Sequence, residues 1–308
     1  MSDRYTVLTG GVGGAKLVDG LYRILPPGSL TAIVNTGDDF RHFGLPVSPD
    51  IDTLLYTLSG KANAELGWGR AGESWAFMAA LQELGGEDWF NLGDGDLALH
   101  VLRRAALDMG ETLTAVTARF ATAWGLDLTV LPMSDDPVAT WVETDEGDLP
   151  FQRYFVERRC RPQVSAIRFE GAGEAQISDA VRGALRDSAA IFIAPSNPWL
   201  SVDPVLAIPA IRQALTTTRA PIVAVSPLVG GKAVKGPTAK LMAELGLAVT
   251  NASIAHHYGD LLDAMIIHDG DDAPDGIAVA STNTLMLNQP DRIRVAQTAL
   301  DLAQRLGN

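Results

Sequence analysis

The chain has almost nothing with which to build cysteine chemistry. Cys160 is the single cysteine among 308 residues, so no intrachain disulfide and no cysteine-based zinc cluster can form. Cations are also scarce: 24 Lys and Arg stand against 37 Asp and Glu, a formal net charge of -13. Binding a polyanion takes clustered cations, so neither nucleic acid nor an acidic membrane surface is an expected partner. Long apolar runs are missing too, and none approaches the length that crosses a bilayer. The N-terminus enters a strand-like segment almost at once, without the regions of a signal peptide. The expected setting is the cytoplasm. These absences leave room for a small anion held by a few cations, backbone N–H groups and a metal ion.

What is present suits one large α/β domain. Hydrophobic residues make up 47% of the chain, enough to bury a sizeable core. The opening reads as strand (4–9), Gly-rich turn, helix (about 14–24) and strand (30–35), the start of a parallel, doubly wound sheet. Residues 50–60, 73–84 and 96–124 carry helical spacing, so a largely helical insertion is expected at about 60–125 within a single domain spanning 1–308. Strand signals return at 128–131, 138–144 and 163–169. A helix is expected at 176–187, then strands at 189–194, 221–225, 263–268 and 276–280, with further helices between them and at 291–306. The fold class is therefore α/β, Rossmann-like, with a mostly parallel sheet.

The turn Thr9-Gly-Gly-Val-Gly-Gly-Ala-Lys16 follows the first strand. Side-chain-free backbone at a helix start lets N–H groups approach a phosphate. The spacing is not that of a P-loop, because Leu17 follows Lys16, and it also departs from the dinucleotide fingerprint. Asn35-Thr-Gly-Asp38-Asp39 ends the second strand, and Pro49-Asp50-Ile-Asp52 follows. Four carboxylates in so short a span suit magnesium, which takes one or two of them plus phosphate oxygens and water. Asp50 or Asp52 could equally cap the helix that begins there. Asp94 and Asp96, with His100 and Arg103 further along, read as acids and bases on a helix, or as a cap and a solvated face. Ser196, Asn197 and Ser226 follow later strands and belong on the same rim. Lys232, Lys235 and Lys240 flank a Gly-rich loop and could neutralise phosphate, while His256-His257 alone is weak support for a metal.

Taken together, Thr9–Lys16, Val34–Asp39, Pro49–Thr53, Leu92–Leu97, Met133–Asp136, Pro195–Pro198 and Val225–Gly231 resemble the 2-phospho-L-lactate transferase family of coenzyme F-420 biosynthesis. The match runs in order along almost the whole chain. It implies a transferase that joins a guanosine-diphosphate-activated three-carbon acid (lactyl, enolpyruvyl or glyceryl) to the deazaflavin FO, releasing GMP. Magnesium, a Rossmann-like fold with a helical region, and a homodimer are implied as well. Carried onto this chain, Asp38, Asp50 and Asp52 are the catalytic and metal-binding residues. Gly11, Val12, Gly13, Gly14, Lys16, Ser196 and Asn197 are the nucleotide and phosphate contacts. Asn35, Asp39, Asp94, Asp96 and His100 are the substrate contacts, and Trp68, Trp199 or Tyr258 would wall the flat deazaflavin. The segment Gly93-Asp94-Gly95-Asp96 has glycine where relatives carry Arg or Lys, which removes an anion contact that Arg70 or Arg103 would have to replace. The alternative is a nucleotide-sugar-binding regulatory protein of a related Rossmann-like family; a Rossmann dehydrogenase is disfavoured by the glycine spacing.

Overall fold

A computed structural model of the chain describes residues 3–234 and 236–307. Strand β1 (Tyr5–Thr9) is buried along its whole length. Helix α1 (Gly11–Ile24) follows with a single residue between, and β2 (Leu30–Val34) lies parallel to β1 after the break at Pro26-Pro27-Gly28. A long crossover then leaves the sheet. It opens with a small hairpin, β3 (Phe40–His42) and β4 (Leu45–Val47). Four helices continue it: α2 (Pro49–Leu58), α3 (Ala76–Glu83), α4 (Asp94–Asp108) and α5 (Leu113–Ala123). The chain returns at β5 (Thr129–Pro132), parallel to β2.

Next come β6 (Ala139–Thr144), β7 (Gly147–Pro150) and β8 (Val164–Glu170), a separate antiparallel sheet in the order β7-β6-β8. Helix α6 (Asp179–Arg186) leads into β9 (Ala190–Ile193). Then follow α7 (Asp203–Leu206), α8 (Pro209–Thr217) and β10 (Ile222–Val225). A two-residue ladder, β11 (Leu228–Val229) with β12 (Lys232–Ala233), precedes α9 (Thr238–Glu244) and α10 (Asn251–Tyr258). The chain closes with β13 (Ala264–His268), β14 (Ala278–Thr282) and α11 (Gln289–Gly307).

The central sheet has seven strands in the order β14-β13-β10-β9-β1-β2-β5, and every neighbouring pair is parallel. Strands buried on both faces read as unbroken apolar runs, and alternate residues feed two cores. Val7, Val34, Phe192 and Ile266 pack with α1, α2 and α11 on one face. Leu8, Ile33, Ile193 and Met265 pack with α6, α8 and α10 on the other. The insertion is not wholly separate: α2 and α5 join the first core, while Met78 of α3 packs with Val47 and Leu92 in a small third cluster. Among the described residues, no helix is long and apolar enough to cross a membrane.

One consequence of the strand order places the site. From β1 the chain winds outward to β2 and β5, then returns to the other side of β1 at β9. The loops leaving β1 and β9 therefore diverge, and a crevice opens at their carboxyl ends.

Candidate active site

The glycine turn sits in that crevice, locked from both sides. The Gly10 N–H donates to Ser196 Oγ at 3.3 Å, and the Ser196 hydroxyl donates back to the Gly10 carbonyl at 2.7 Å. The Gly11 N–H donates to Asp50 Oδ1 at 2.7 Å, and its φ of +64° is a conformation that favours glycine. A Cβ at Gly13 would lie 2.7 Å from the Pro195 carbonyl oxygen, and one at Gly14 the same distance from Ser196 Oγ. These glycines thus let α1 press against the loop after β9.

That packing decides which amides at the start of α1 stay free. With Gly10 as N-cap, the helix leaves four N–H groups unpaired, those of Gly10, Gly11, Val12 and Gly13. Ser196 and Asp50 take the first two. The Val12 and Gly13 N–H groups meet no acceptor among the described residues, whereas Gly14 lies one residue too far into the helix. Gly11 and Gly14 are therefore shaping residues rather than phosphate donors. Ser196 is spent on Gly10. Asn197 caps the wide turn at Pro198–Val202, accepting from Trp199 N–H at 3.0 Å and Leu200 N–H at 3.1 Å. Lys16 Nζ donates to the Met286 carbonyl at 2.6 Å.

The acids after β2 and at the start of α2 gather beside the turn. Asn35 Nδ2 donates to Asp50 Oδ2 at 3.0 Å, so both Asp50 oxygens are engaged. Asn35 Oδ1 in turn accepts the Gly37 N–H at 2.8 Å. Ser48 Oγ donates to Asp39 Oδ2 at 2.6 Å. Asp38 Oδ1 and Asp39 Oδ1 are buried and meet no hydrogen-bond partner among the described residues. Burial is the main force on all three carboxyls. It pushes Asp50 up to about 6. It holds Asp38 well above the usual range, with the Asp50 charge adding to the effect. Burial likewise raises Asp39, against the Ser48 hydrogen bond and the nearby Arg103 charge.

Asp52 faces the other way. The Arg103 guanidinium of α4 grips both of its oxygens, with Nη1 at 3.2 Å and Nη2 closing the fork. Arg103 also donates to the Pro46 carbonyl at 3.3 Å. Asp52 is thus an ion-paired strut between α2 and α4, and the expectation that it binds metal gives way to that pairing. Among the described residues, no three acidic, His or Cys side chains converge into a ready cage. The donor set nonetheless fits magnesium. An unpartnered, buried Asp38 oxygen beside a second carboxylate is what that ion takes when phosphate and water complete its shell.

Asp96, His100 and Arg103 stand at i, i+4 and i+7 on one face of α4, the spacing that could have linked them from sequence. His100 Nδ1 lies 3.2 Å from Arg103 Nη1. His100 Nε2 is 3.3 Å from Asp96 Oδ2, close but misaligned for a hydrogen bond. Tyr56 donates a short hydrogen bond to Asp96 Oδ1. Burial would raise the Asp96 carboxyl, but His100, Tyr56 and Arg103 outweigh it and hold it below the usual range.

Asp94 is corrected from substrate contact to cap. It accepts from the Ala76 N–H at 3.2 Å and the Phe77 N–H at 3.0 Å, and from Ser74, at the start of α3. Trp199 and Tyr258 are only 6% and 3% exposed, so both are core residues rather than walls of a ring site. Trp68, at 46% exposed, is not. It lines a cleft with Trp75, Arg70, Glu73, Asn91 and Asp96; Trp75 and Glu73 gave no signal in the sequence. A larger hollow at Ser281, Thr298 and Arg305 lies along the β14 edge, at the opposite end of the sheet from the acids. His257 pairs with Asp203 at 2.8 Å. Lys240 pairs with Glu244 at 2.6 Å, Lys232 is exposed, and Lys235 lies outside the described residues.

The chain is similar to known proteins along nearly its whole length. The family described as 2-phospho-L-lactate transferase CofD matches residues 5–302. A phosphoenolpyruvate transferase of Kitasatospora aureofaciens is 38% identical over 98% of this chain and 98% of its own. A 2-phospho-L-lactate transferase of Methanosarcina mazei is 37% identical, covering 91% of this chain and 94% of its own. A solved structure of a UPF0052-family protein from Bacillus halodurans superposes with a TM-score of 0.64 at 17% identity, covering 97% of this chain and 99% of that one; at that identity the likeness speaks for the fold alone. The Rossmann-like sheet, the locked glycine turn and a family match that spans nearly every residue lead to one assignment: the chain belongs to the CofD family of 2-phospho-L-lactate transferases.

Proposed function

We propose that this transferase moves a phospho-three-carbon-acid group from a guanosine-diphosphate-activated donor to a ribityl hydroxyl of FO. The hydroxyl oxygen attacks the phosphorus that carries the acid, the bond from that phosphorus to GMP breaks, and the hydroxyl proton passes to a carboxylate of the acidic edge. The products are a phosphodiester and GMP. Such chemistry needs positioning and charge stabilisation more than covalent help from the protein.

The observation that carries this reading is the buried, unpartnered Asp38 oxygen, one residue removed from the amide-lined start of α1 through Asp50. Val12 and Gly13 would take a phosphate of the donor, with the partial positive end of α1 behind them. Asp38 and Asp50 would hold Mg2+, which when bound supplies charge neutralisation on the departing phosphate. Asn35 and Gly11 fix the direction of Asp50. The names of the relatives support a phosphorylated three-carbon acid as cargo.

The test is incubation with FO, Mg2+ and each of the lactyl, enolpyruvyl and glyceryl donors in competition, with GMP and the phosphodiester followed by mass spectrometry. The reading expects GMP release that depends on FO, with one donor preferred. No product from any donor, or GMP release without FO, would contradict it.

A further inference from the structure

We infer that Gln152 is a positioning residue of the transfer reaction, holding the backbone of Asp38 and so the direction of its carboxylate. The inference rests on the transferase reading above. Gln152 follows β7 and opens a wide helical turn, Arg153–Glu157. It is only 6% exposed, although an amide side chain is costly to bury unless it is hydrogen-bonded. Its Nε2 donates to the Asp38 carbonyl at 3.2 Å, across 114 residues of sequence.

The antiparallel sheet makes a second bond to the same turn, from the Thr140 N–H of β6 to the Gly37 carbonyl at 2.8 Å. The carbonyls of Gly37 and Asp38 belong to the two peptide planes on either side of the Asp38 Cα. Each plane is rigid, so tying both sets φ and ψ of Asp38 and the direction of its Cα–Cβ bond. Within the turn, only the Asp39 N–H adds a tie to the second plane, reaching the Thr36 carbonyl at 3.1 Å. Asp38 needs this holding because the charges of Asp50 and Asp39 act on its carboxyl, and like charges drive the side chains apart. Without Gln152, the second plane keeps one contact and can tilt under that repulsion. Gln152 is itself held on both sides. Phe151 and Tyr154 are buried in the second core. Arg153 pairs with Glu87 at 2.9 Å and covers the Trp89 ring at 4.2 Å, which ties the turn to the insertion.

Two variants test the role. Gln152→Met keeps the length of the side chain and removes the donor; Gln152→Asn keeps the donor and falls one methylene short. Hydrogen–deuterium exchange on ligand-free protein reads the turn directly. Peptides covering residues 36–40 should exchange on the order of 3- to 10-fold faster in both variants, as for loss of one hydrogen bond. Parental exchange in β1 and β2 shows that each variant is folded. In turnover with FO, donor and Mg2+, kcat should fall on the order of 10-fold, the scale of a sub-ångström misplacement, while KM for the donor stays put. Parental exchange at 36–40, or faster exchange with parental kcat, would overturn the positioning role and leave the transferase reading standing. A parent that releases no GMP from any donor would overturn the transferase reading, and the role of Gln152 in it would fall as well.

Discussion

Asp50 accepts the Gly11 amide hydrogen at 2.7 Å, so a residue of α2 fixes the first turn of α1. This contact joins the two halves of the candidate site: the free amides at the start of α1 and the carboxyls gathered after β2 and at the start of α2. Asn35 completes the joint by donating to the other Asp50 oxygen at 3.0 Å. The geometry of the crevice depends on that three-residue link.

Removing the link has a defined cost. Asp50→Ala leaves the Gly11 N–H and the Asn35 amide without their acceptor in a buried edge. At about 1–3 kcal/mol for each unsatisfied group, offset in part by loss of a buried charge, we expect a net destabilisation of about 2 kcal/mol. Urea unfolding checks it, and an unchanged midpoint would show that the link carries no stability.

The buried acids set a pH dependence. The Asp50 carboxyl is raised by burial to about 6 in the folded chain, above its unfolded value, so the folded state holds the proton longer. Its contribution is fully present below the unfolded value of about 4 and is lost as pH rises through about 6. In ligand-free protein, the parent should therefore lose stability relative to Asp50→Asn between pH 4 and pH 7. A stability difference that stays flat across that window would mean the carboxyl is not perturbed.

Arg103 should be indispensable to the fold around α4. Arg103→Met strands the buried Asp52 charge, and breaking a buried pair from one side costs about 3–5 kcal/mol. Arg103→Lys, which keeps the charge but loses the fork, should fall between. Thermal or urea unfolding of the three proteins decides the order. A Met variant as stable as the parent would reduce the pair to a bystander.

Gly13→Ala tests the close approach of α1 to the loop after β9. The added methyl would sit 2.7 Å from the Pro195 carbonyl oxygen, so the helix start must shift by some tenths of an ångström. We expect the fold to persist with about 1–3 kcal/mol of strain, and guanine-nucleotide protection against unfolding to fall. Full protection would separate this turn from the nucleotide.

The central sheet was legible in the sequence because its inner strands are buried on both faces and read as short apolar runs. Leu30–Val34 and Ala190–Ile193 fall inside the segments expected at 30–35 and 189–194. The hairpin Phe40–Val47 was not legible, since its strands have three residues each and include Arg41 and Pro46. At the site, Asp38 and Asp50 could be read as neighbours because both follow the same strand end. The pairing of Asp52 with Arg103 spans 51 residues and leaves no local trace. Asp94 was open to reading as a cap, but it caps α3 rather than its own helix, a contact that exists only once the 62–75 loop has folded back. Trp199 and Tyr258 misled because an aromatic residue near a site motif looks the same in sequence whether it faces a ligand or the core.

Turnover of Asp38→Asn tests the account most directly. The variant keeps the shape of the side chain and removes the charge that the acidic edge would offer a cation. Assayed as GMP release from donor and FO with Mg2+, on protein shown to be folded, it should lose on the order of 100-fold or more, as charge-stabilising groups do. Turnover within a few-fold of the parent would take Asp38 out of the site and the proposed chemistry with it.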